Sequence, residues 1–408
     1  MEKITEKVSL SLERLSEWCE SEQYKGYDPY DGLNSKLFRS IPLISGNRYA
    51  RLAWIQLFKR SPLNLRTIAG VPKDYNAKAV ALFLSAFCNL YRVYGKQEHF
   101  EKIRFFSEKL ISLRNTSWSG SCWGYNFDWQ ARAFFQPKNM PTVVATTFAG
   151  CALADAYYVT GERKFLDHAR SACDFVLKNL NRTYADDGSF AFSYSPVDRS
   201  VVFNASMLGS RLLSRVYSYT GERDLAANAG LSMKFCCDNQ REDGSWVYGK
   251  YDFHHWIDSF HTGFNLECIS DYINFTGDNS FETNLNRGME YYLSNFITEE
   301  GFPKYYNNVT YPADIHSSAQ LIVTSFKTGY YDSNISLINK VITWTIDNMQ
   351  SEKGYFIFRK NKYFSSRIPY MRWAQAWMFY AFSIFLLYRN SVRTVSNTSE
   401  FSNKSVTT

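Results

Sequence analysis

The 408-residue chain carries 46 Lys and Arg against 39 Asp and Glu, a formal net charge of +7. This mild excess, with no dominant Lys/Arg cluster along the chain, argues against nucleic acid as a partner, and 45% hydrophobic with 21% charged residues is a globular composition. Eight cysteines without C-x-x-C spacing point away from a metal site and toward buried thiols in a reducing, cytoplasmic setting.

The N-terminus lacks the apolar core of a signal peptide, and Glu2–Glu22 reads as an amphipathic helix. The loop Tyr24–Phe38 carries Asp28, Asp31 and Asn34; Pro29 and Gly32 supply enough turn chemistry to account for both aspartates. A helix is predicted over Arg48–Arg60. From there two signals alternate. One is a Gly-aromatic loop, as in CWGY (Cys122–Tyr125), DDGSF (Asp186–Phe190) and EDGSW (Glu242–Trp246). The other is a Gly turn at Gly95, Gly161, Gly221, Gly277 and Gly329, spaced 52 to 66 residues apart. Repetition of this length marks an array of helical hairpins.

Between loop and turn lie stretches apolar on nearly every side: Asn76–Tyr94, Thr142–Thr160, Val201–Thr220, Ile257–Thr276, Ala313–Thr328 and Tyr370–Arg389. These predict buried helices. Between turn and loop lie charged stretches with three-four periodicity, such as Glu162–Leu180 and Glu222–Gln240, which predict outer helices with one wet face. Trp373–Tyr388 is apolar but, at sixteen residues, shorter than the roughly 20 a bilayer requires, so no transmembrane segment is predicted. Six inner and six outer helices predict an all-α fold, a single (α/α)6 toroid over residues 1–390. The Ser/Thr/Asn-rich residues 391–408 are expected to be a disordered tail. The long, aromatic outer-to-inner loops all emerge at one end, where six inner-helix N-termini converge. That arrangement favours an anionic ligand.

Candidate site residues fall in those loops and helix starts. In CWGYNFDWQARAFF, Trp123, Tyr125 and Trp129 offer faces for sugar rings, while Asp128 and Arg132 offer charge; a loop pinned by its own aromatics is the structural alternative. Tyr194, Trp246 and Trp256 join the aromatic set. On the fourth inner helix Asp258, His261 and Asn265 share a face, and a carboxylate orients an imidazole for acid/base work. In the next repeat Asp314, His316 and Gln320 stand at the corresponding place, with Asp314 alternatively a plain helix cap. Arg372 and Trp373 open the last inner helix; a buried Arg needs an anion, and substrate is expected there over a protein carboxylate.

QREDGSW resembles the QW repeat of triterpene cyclases, but the chain has no Asp-x-Asp-Asp acid motif. No Walker loop, Rossmann fingerprint or G-x-S-x-G elbow is present, and no cofactor is expected. YDPYDGLNS, CWGYNFDWQ, VVATTFAG, VFNAS, DGSW, DSFHTGFNLE, DIHSSAQ and PYMRWAQAWM together resemble the VpsJ-type polysaccharide-biosynthesis proteins, over roughly Tyr24 to Tyr388. The resemblance implies a six-hairpin glycosidase-like toroid and a role in exopolysaccharide, capsule or O-antigen production, with possible association with membrane-bound machinery. It carries over no catalytic residues. The expected partner is an oligosaccharide or polysaccharide, acidic in character. Lyase or epimerase chemistry would use His261 or His316 as base; glycoside hydrolysis would pair Asp258 with Asp128 or Asp314. The alternative is a non-catalytic glycan-binding or scaffold component of polysaccharide assembly.

Overall fold

The computed structural model describes residues 2–132 and 134–404, with side chains described as far as Val392. The chain opens with α1 (Glu2–Ser21), and the first long loop folds into α2 (Lys36–Arg39), α3 (Pro42–Ser45), α4 (Arg48–Arg60) and α5 (Arg66–Ala69). Inner and outer helices then alternate. The first hairpin pairs α6 (Ala77–Tyr94) with α7 (Gln97–Ser112), the second α8 (Val143–Thr160) with α9 (Arg163–Asn179), and the third α10 (Phe203–Thr220) with α11 (Arg223–Asp238). Next come α12 (Ser259–Thr276) with α13 (Glu282–Phe296) and α14 (Ile315–Lys327) with α15 (Ile335–Met349), then α16 (Ala376–Lys404), which packs on α1. Each even-numbered helix from α6 packs on the next, and α16 packs back on α6, so the inner ring is closed.

The residues explain the layering. Nearly all of Val143–Ala156 in α8 is buried, whereas α9 buries one stripe, including Phe165, Leu166, Ala169, Cys173 and Val176. By composition α8 is also long enough to cross a membrane, but here it packs between α6 and α10. The inner-to-outer turns are tight because the chain reverses through a left-handed residue. Gly161 (φ 73°) and Gly221 (φ 68°) occupy that position after α8 and α10, where a side chain is strained.

The Gly-aromatic loops lock the opposite reversals. Trp123 Nε1 donates to the Leu110 carbonyl at 2.7 Å, and Trp246 Nε1 to that of Cys236 at 2.9 Å. Both indoles are fully buried. They hold loops to outer helices, which corrects their expected place in a sugar-binding surface. Short antiparallel ribbons stiffen the remaining loops: β1 (Trp129–Gln130) with β2 (Phe135–Gln136), β3 (Arg182–Tyr184) with β4 (Phe190–Phe192), and β5 (Ala313–Asp314) with β6 (Arg359–Lys360) and β7 (Ser365–Ser366). The stretch expected to lack order from residue 391 continues as α16 through Lys404, and residues 405–408 lie outside those described. All eight cysteines are free thiols.

Candidate functional site

A cavity of about 620 Å³ opens among the long loops. Every inner helix reaches it from its first turns: Lys78 from α6, Val144 from α8, Asn204 from α10, His261 from α12 and His316 from α14. The sixth contribution, Arg372 and Trp373, comes from a π-turn (Met371–Gln375) that leads into α16. Such turns recur at functional sites because the extra residue re-aims side chains.

Asp258 is the N-cap of α12, and its carboxylate is committed on every side. Oδ1 accepts from the His261 backbone N–H at 3.0 Å; Oδ2 accepts from His261 Nδ1 at 2.7 Å and from Trp256 Nε1 at 2.9 Å. A carboxylate only accepts, so the imidazole proton sits on Nδ1. In the neutral ring Nε2 then carries the lone pair, on a ring that lines the cavity. Tyr248 stacks on Trp256 at 4.6 Å and leans on His261 at 4.5 Å, fixing the imidazole from the other side.

His316 is held differently. Its ring is stacked on Phe260 (4.7 Å, 17°) and flanked by Trp373 (4.7 Å) and Trp377 (4.6 Å). Neither ring nitrogen has a hydrogen-bond partner among the described residues, although the ring lines the cavity and is 1% exposed. Burial, then repulsion from Lys78, Arg372 and His261, holds its pKa well below the usual histidine value, so this imidazole is neutral at pH 7. Phe260 separates the two histidines, its centroid 4.0 Å from that of His261.

Lys78, which the sequence reading passed over, lies at the base of the cavity. Its Nζ sits 4.2 Å over the Phe148 ring and 4.7 Å over Phe264. Burial, reinforced by Arg372, lowers its pKa well below the ordinary lysine value. A lone Lys in the otherwise apolar run AKAVALF was the available signal. Asn204, in VFNAS, also lines the cavity with its Oδ1 unpartnered. His254 borders it as well, its pKa lowered to about 4 by burial and by Arg132.

Of the residues expected in the site, the structure gathers Asp258, His261 and His316 on the cavity wall with Tyr125, Trp129, Arg132, Tyr194, Trp256, Arg372 and Trp373. Others lie elsewhere. Asp128 accepts from Arg39 at 2.9 Å and from the Lys138 backbone, outside the cavity. Asp314 is fully buried; it caps α14, accepts from Trp373 Nε1 at 2.8 Å and pairs with Arg359 at 2.7 Å, so it has no free edge for catalysis. Gln320 donates to Glu267 and Thr324 inside the ring, where Glu267 also faces Arg211 at 3.6 Å. Asn265 and Trp246 look onto a crevice of about 10 Å³ behind the Asp258–His261 pair, room for about one water.

Arg372 also departs from expectation: its anion is a protein carboxylate. It grips Asp28 of the first loop through Nε (2.5 Å) and Nη2 (2.8 Å). Burial opposes its charge, and Asp28 outweighs that cost, raising the pKa above the usual arginine value. Asp31, pushed up to about 6 by burial against the pull of Arg66, pairs with that buried arginine at 2.6 Å. Both loop aspartates are structural, as their turn context predicts.

No family model matches the chain, and no curated protein matches its sequence. Solved structures do match its shape. The cellobiose 2-epimerase of Bacillus thermoamylovorans aligns with a TM-score of 0.62 at 12% identity, over 78% of this chain and 90% of that one. A GH76 α-mannanase of Bacteroides thetaiotaomicron gives 0.61 at 12% identity, over 78% and 88%. A possible GH105 member from Salmonella enterica serovar Paratyphi A gives 0.58 at 14%, over 76% and 83%. These likenesses, with the closed ring of six hairpins, establish the (α/α)6 toroid fold.

Proposed function

We propose that the protein is a carbohydrate-active enzyme that takes a proton from a sugar carbon beside a carbonyl or carboxylate. It would act as an epimerase or lyase on an acidic glycan, or its precursor, in extracellular polysaccharide biosynthesis. One observation carries the reading. An Asp-oriented imidazole with its lone pair free, His261, and a neutral, unpartnered imidazole, His316, border the same cavity. In this reading His261 Nε2 is the base. The proton it takes makes His261 an imidazolium, which returns it to carbon for epimerisation or delivers it to the departing oxygen for elimination, while the neutral His316 donates its ring N–H to the enolate oxygen that forms.

Two-carboxylate hydrolysis is the weaker reading, because it needs a pair of carboxyl groups flanking one bond. Among the described cavity-lining residues Asp258 is the sole carboxylate, and its oxygens are already engaged. Aromatic walls from Tyr125, Trp129, Tyr194, Trp256 and Trp373 suit sugar rings. Lys59, Arg60 and Arg132 line the cavity without a carboxylate partner among the described residues, which suits an anionic sugar. The motif resemblance to VpsJ-type proteins supports the polysaccharide context. Structural neighbours named as a cellobiose epimerase and a mannanase support sugars as the substrate class, and eight free thiols support a cytoplasmic setting.

The test is incubation with hexose- and uronate-containing oligosaccharides in D2O. Deuterium at a single sugar carbon (epimerase) or an unsaturated sugar product absorbing in the ultraviolet (lyase), lost in His261→Asn and His316→Asn while binding by calorimetry persists, is the expected result. Binding with neither deuterium uptake nor unsaturated product, equal in wild type and both variants, overturns the enzyme reading in favour of a glycan-binding scaffold.

A further inference from the structure

Residues 36–73, the insert that carries α2 to α5, contain eight Lys and Arg and no Asp or Glu. The whole chain has a net charge of +7, so the rest of the molecule is close to neutral. Three of the eight cations are matched from outside the insert: Arg39 by Asp128, Arg66 by Asp31 and Lys73 by Glu22. Lys36, Arg48, Arg51, Lys59 and Arg60 form no ion pair among the described residues. The sequence hides this cluster because the cations are interspersed with apolar residues instead of running together.

Several of those apolar residues are exposed. Leu43 is 92% accessible, Ile68 87%, Tyr49 78% and Leu63 70%. Helix α4 is apolar on two sides: Ile55 and Phe58 pack inward, while Tyr49, Ala53 and Leu57 form an outward stripe at four-residue spacing. A second projection repeats the chemistry. The turn between β6 and β7 exposes Tyr363 (87%) and Phe364 (51%), flanked by Lys360, Lys362 and Arg367 without an acid. Both projections rise from the rim of the same cavity, to which α4 contributes Lys59 and Arg60 and β6 contributes Arg359.

We propose that the insert and the β6–β7 turn seat the cavity mouth on an anionic phospholipid bilayer. The single sign of charge selects an anionic surface, and exposed Leu and Ile select acyl chains over nucleic acid, which calls for polar contacts and stacked rings. Exposed apolar clusters of this kind mark interaction surfaces. The inference is independent of the chemistry inside the cavity. It brings the mouth to where a lipid-carried substrate would be presented.

Flotation of the full chain with phosphatidylcholine vesicles, with and without phosphatidylglycerol and at low and high salt, tests it. Binding is expected only with phosphatidylglycerol and is expected to fall with salt. Each basic residue at such a surface contributes about fivefold, so Lys36→Gln/Lys362→Gln should weaken binding roughly 25-fold. Leu43→Ser/Tyr363→Ser should weaken it as well. All four side chains are exposed, so both variants should melt like the wild type. Absence of flotation with anionic vesicles overturns the proposal, as does binding unchanged in both variants. So does a dimer that Leu43→Ser/Tyr363→Ser dissociates in a protein that ignores vesicles, since the face would then be a contact between copies.

Discussion

Asp258→Asn isolates what the carboxylate does for His261. The substitution preserves volume and helix cap and turns one acceptor into a donor. In the native site Oδ2 receives two N–H groups, from His261 Nδ1 at 2.7 Å and Trp256 Nε1 at 2.9 Å, while Oδ1 caps the helix. An amide that keeps its oxygen on the cap points its NH2 at both donors; turned over, it confronts the capped backbone N–H. Either way at least one buried donor is left unpaired, at a cost of about 1–3 kcal/mol. The imidazole escapes by moving its proton to Nε2, which accepts the amide at Nδ1 and removes the lone pair from the cavity. Turnover should then fall by about 10²–10⁴-fold with only modest loss of thermal stability. Deuterium uptake by substrate gives the rate, thermal melting gives the stability, and ring-nitrogen NMR identifies the tautomer. A variant that keeps wild-type turnover, or one whose His261 still carries its proton on Nδ1, refutes the assignment of His261 as base.

Removing Asp28 should be far more damaging than removing Asp128. Asp28→Ala strands the buried Arg372 and should cost about 3–5 kcal/mol, whereas Asp128 forms a surface pair worth about 1 kcal/mol or less; denaturant unfolding of both variants makes the comparison. Gly161→Ala should cost about 1–2 kcal/mol, since φ is 73° but nothing lies within 4 Å of the added methyl. Gly244→Ala should cost more by the same assay, because its Cβ would lie 2.4 Å from the Arg287 carbonyl oxygen. Acid should destabilise the protein through His316. The histidine of the unfolded chain titrates near 6.5 and the folded one well below it, so the unfolded state binds the proton first as pH falls. Its stability contribution is complete above pH 6.5 and declines below it, by up to about 1.4 kcal/mol per pH unit. His316→Phe, which suits the surrounding aromatic rings, should flatten that slope; identical slopes in the two proteins would count against a buried neutral imidazole.

The architecture was legible because it rests on local signals repeated many times. A left-handed glycine after an all-apolar helix reads the same at Gly161 as at Gly221, and Arg48–Arg60 was predicted with the bounds it has. Asp258 and His261 were legible for a related reason: a cap and the residue three positions on are fixed relative to each other by helix geometry. Asp128, Asp314 and Arg372 were misjudged because their partners are far off in sequence. Arg39, Arg359 and Asp28 lie 89, 45 and 344 residues from them, and no spacing rule finds such pairs. Trp123 and Trp246 have the composition of a sugar platform, but a single indole N–H bond to an outer helix puts each in the core. Lys78 was missed because a charge within an apolar run was absorbed into the run.

The contact between α16 and α6 bears on biosynthesis. Phe379 on α16 packs against Phe83 and Phe87 on α6, and Arg372 reaches back to Asp28. A nascent chain therefore holds the apolar flank of its first hairpin bare until its last hairpin emerges from the ribosome. Premature stop codons upstream of Met371 should yield aggregates and not weakened catalysts, and synthesis should lean on chaperones until the final helix docks.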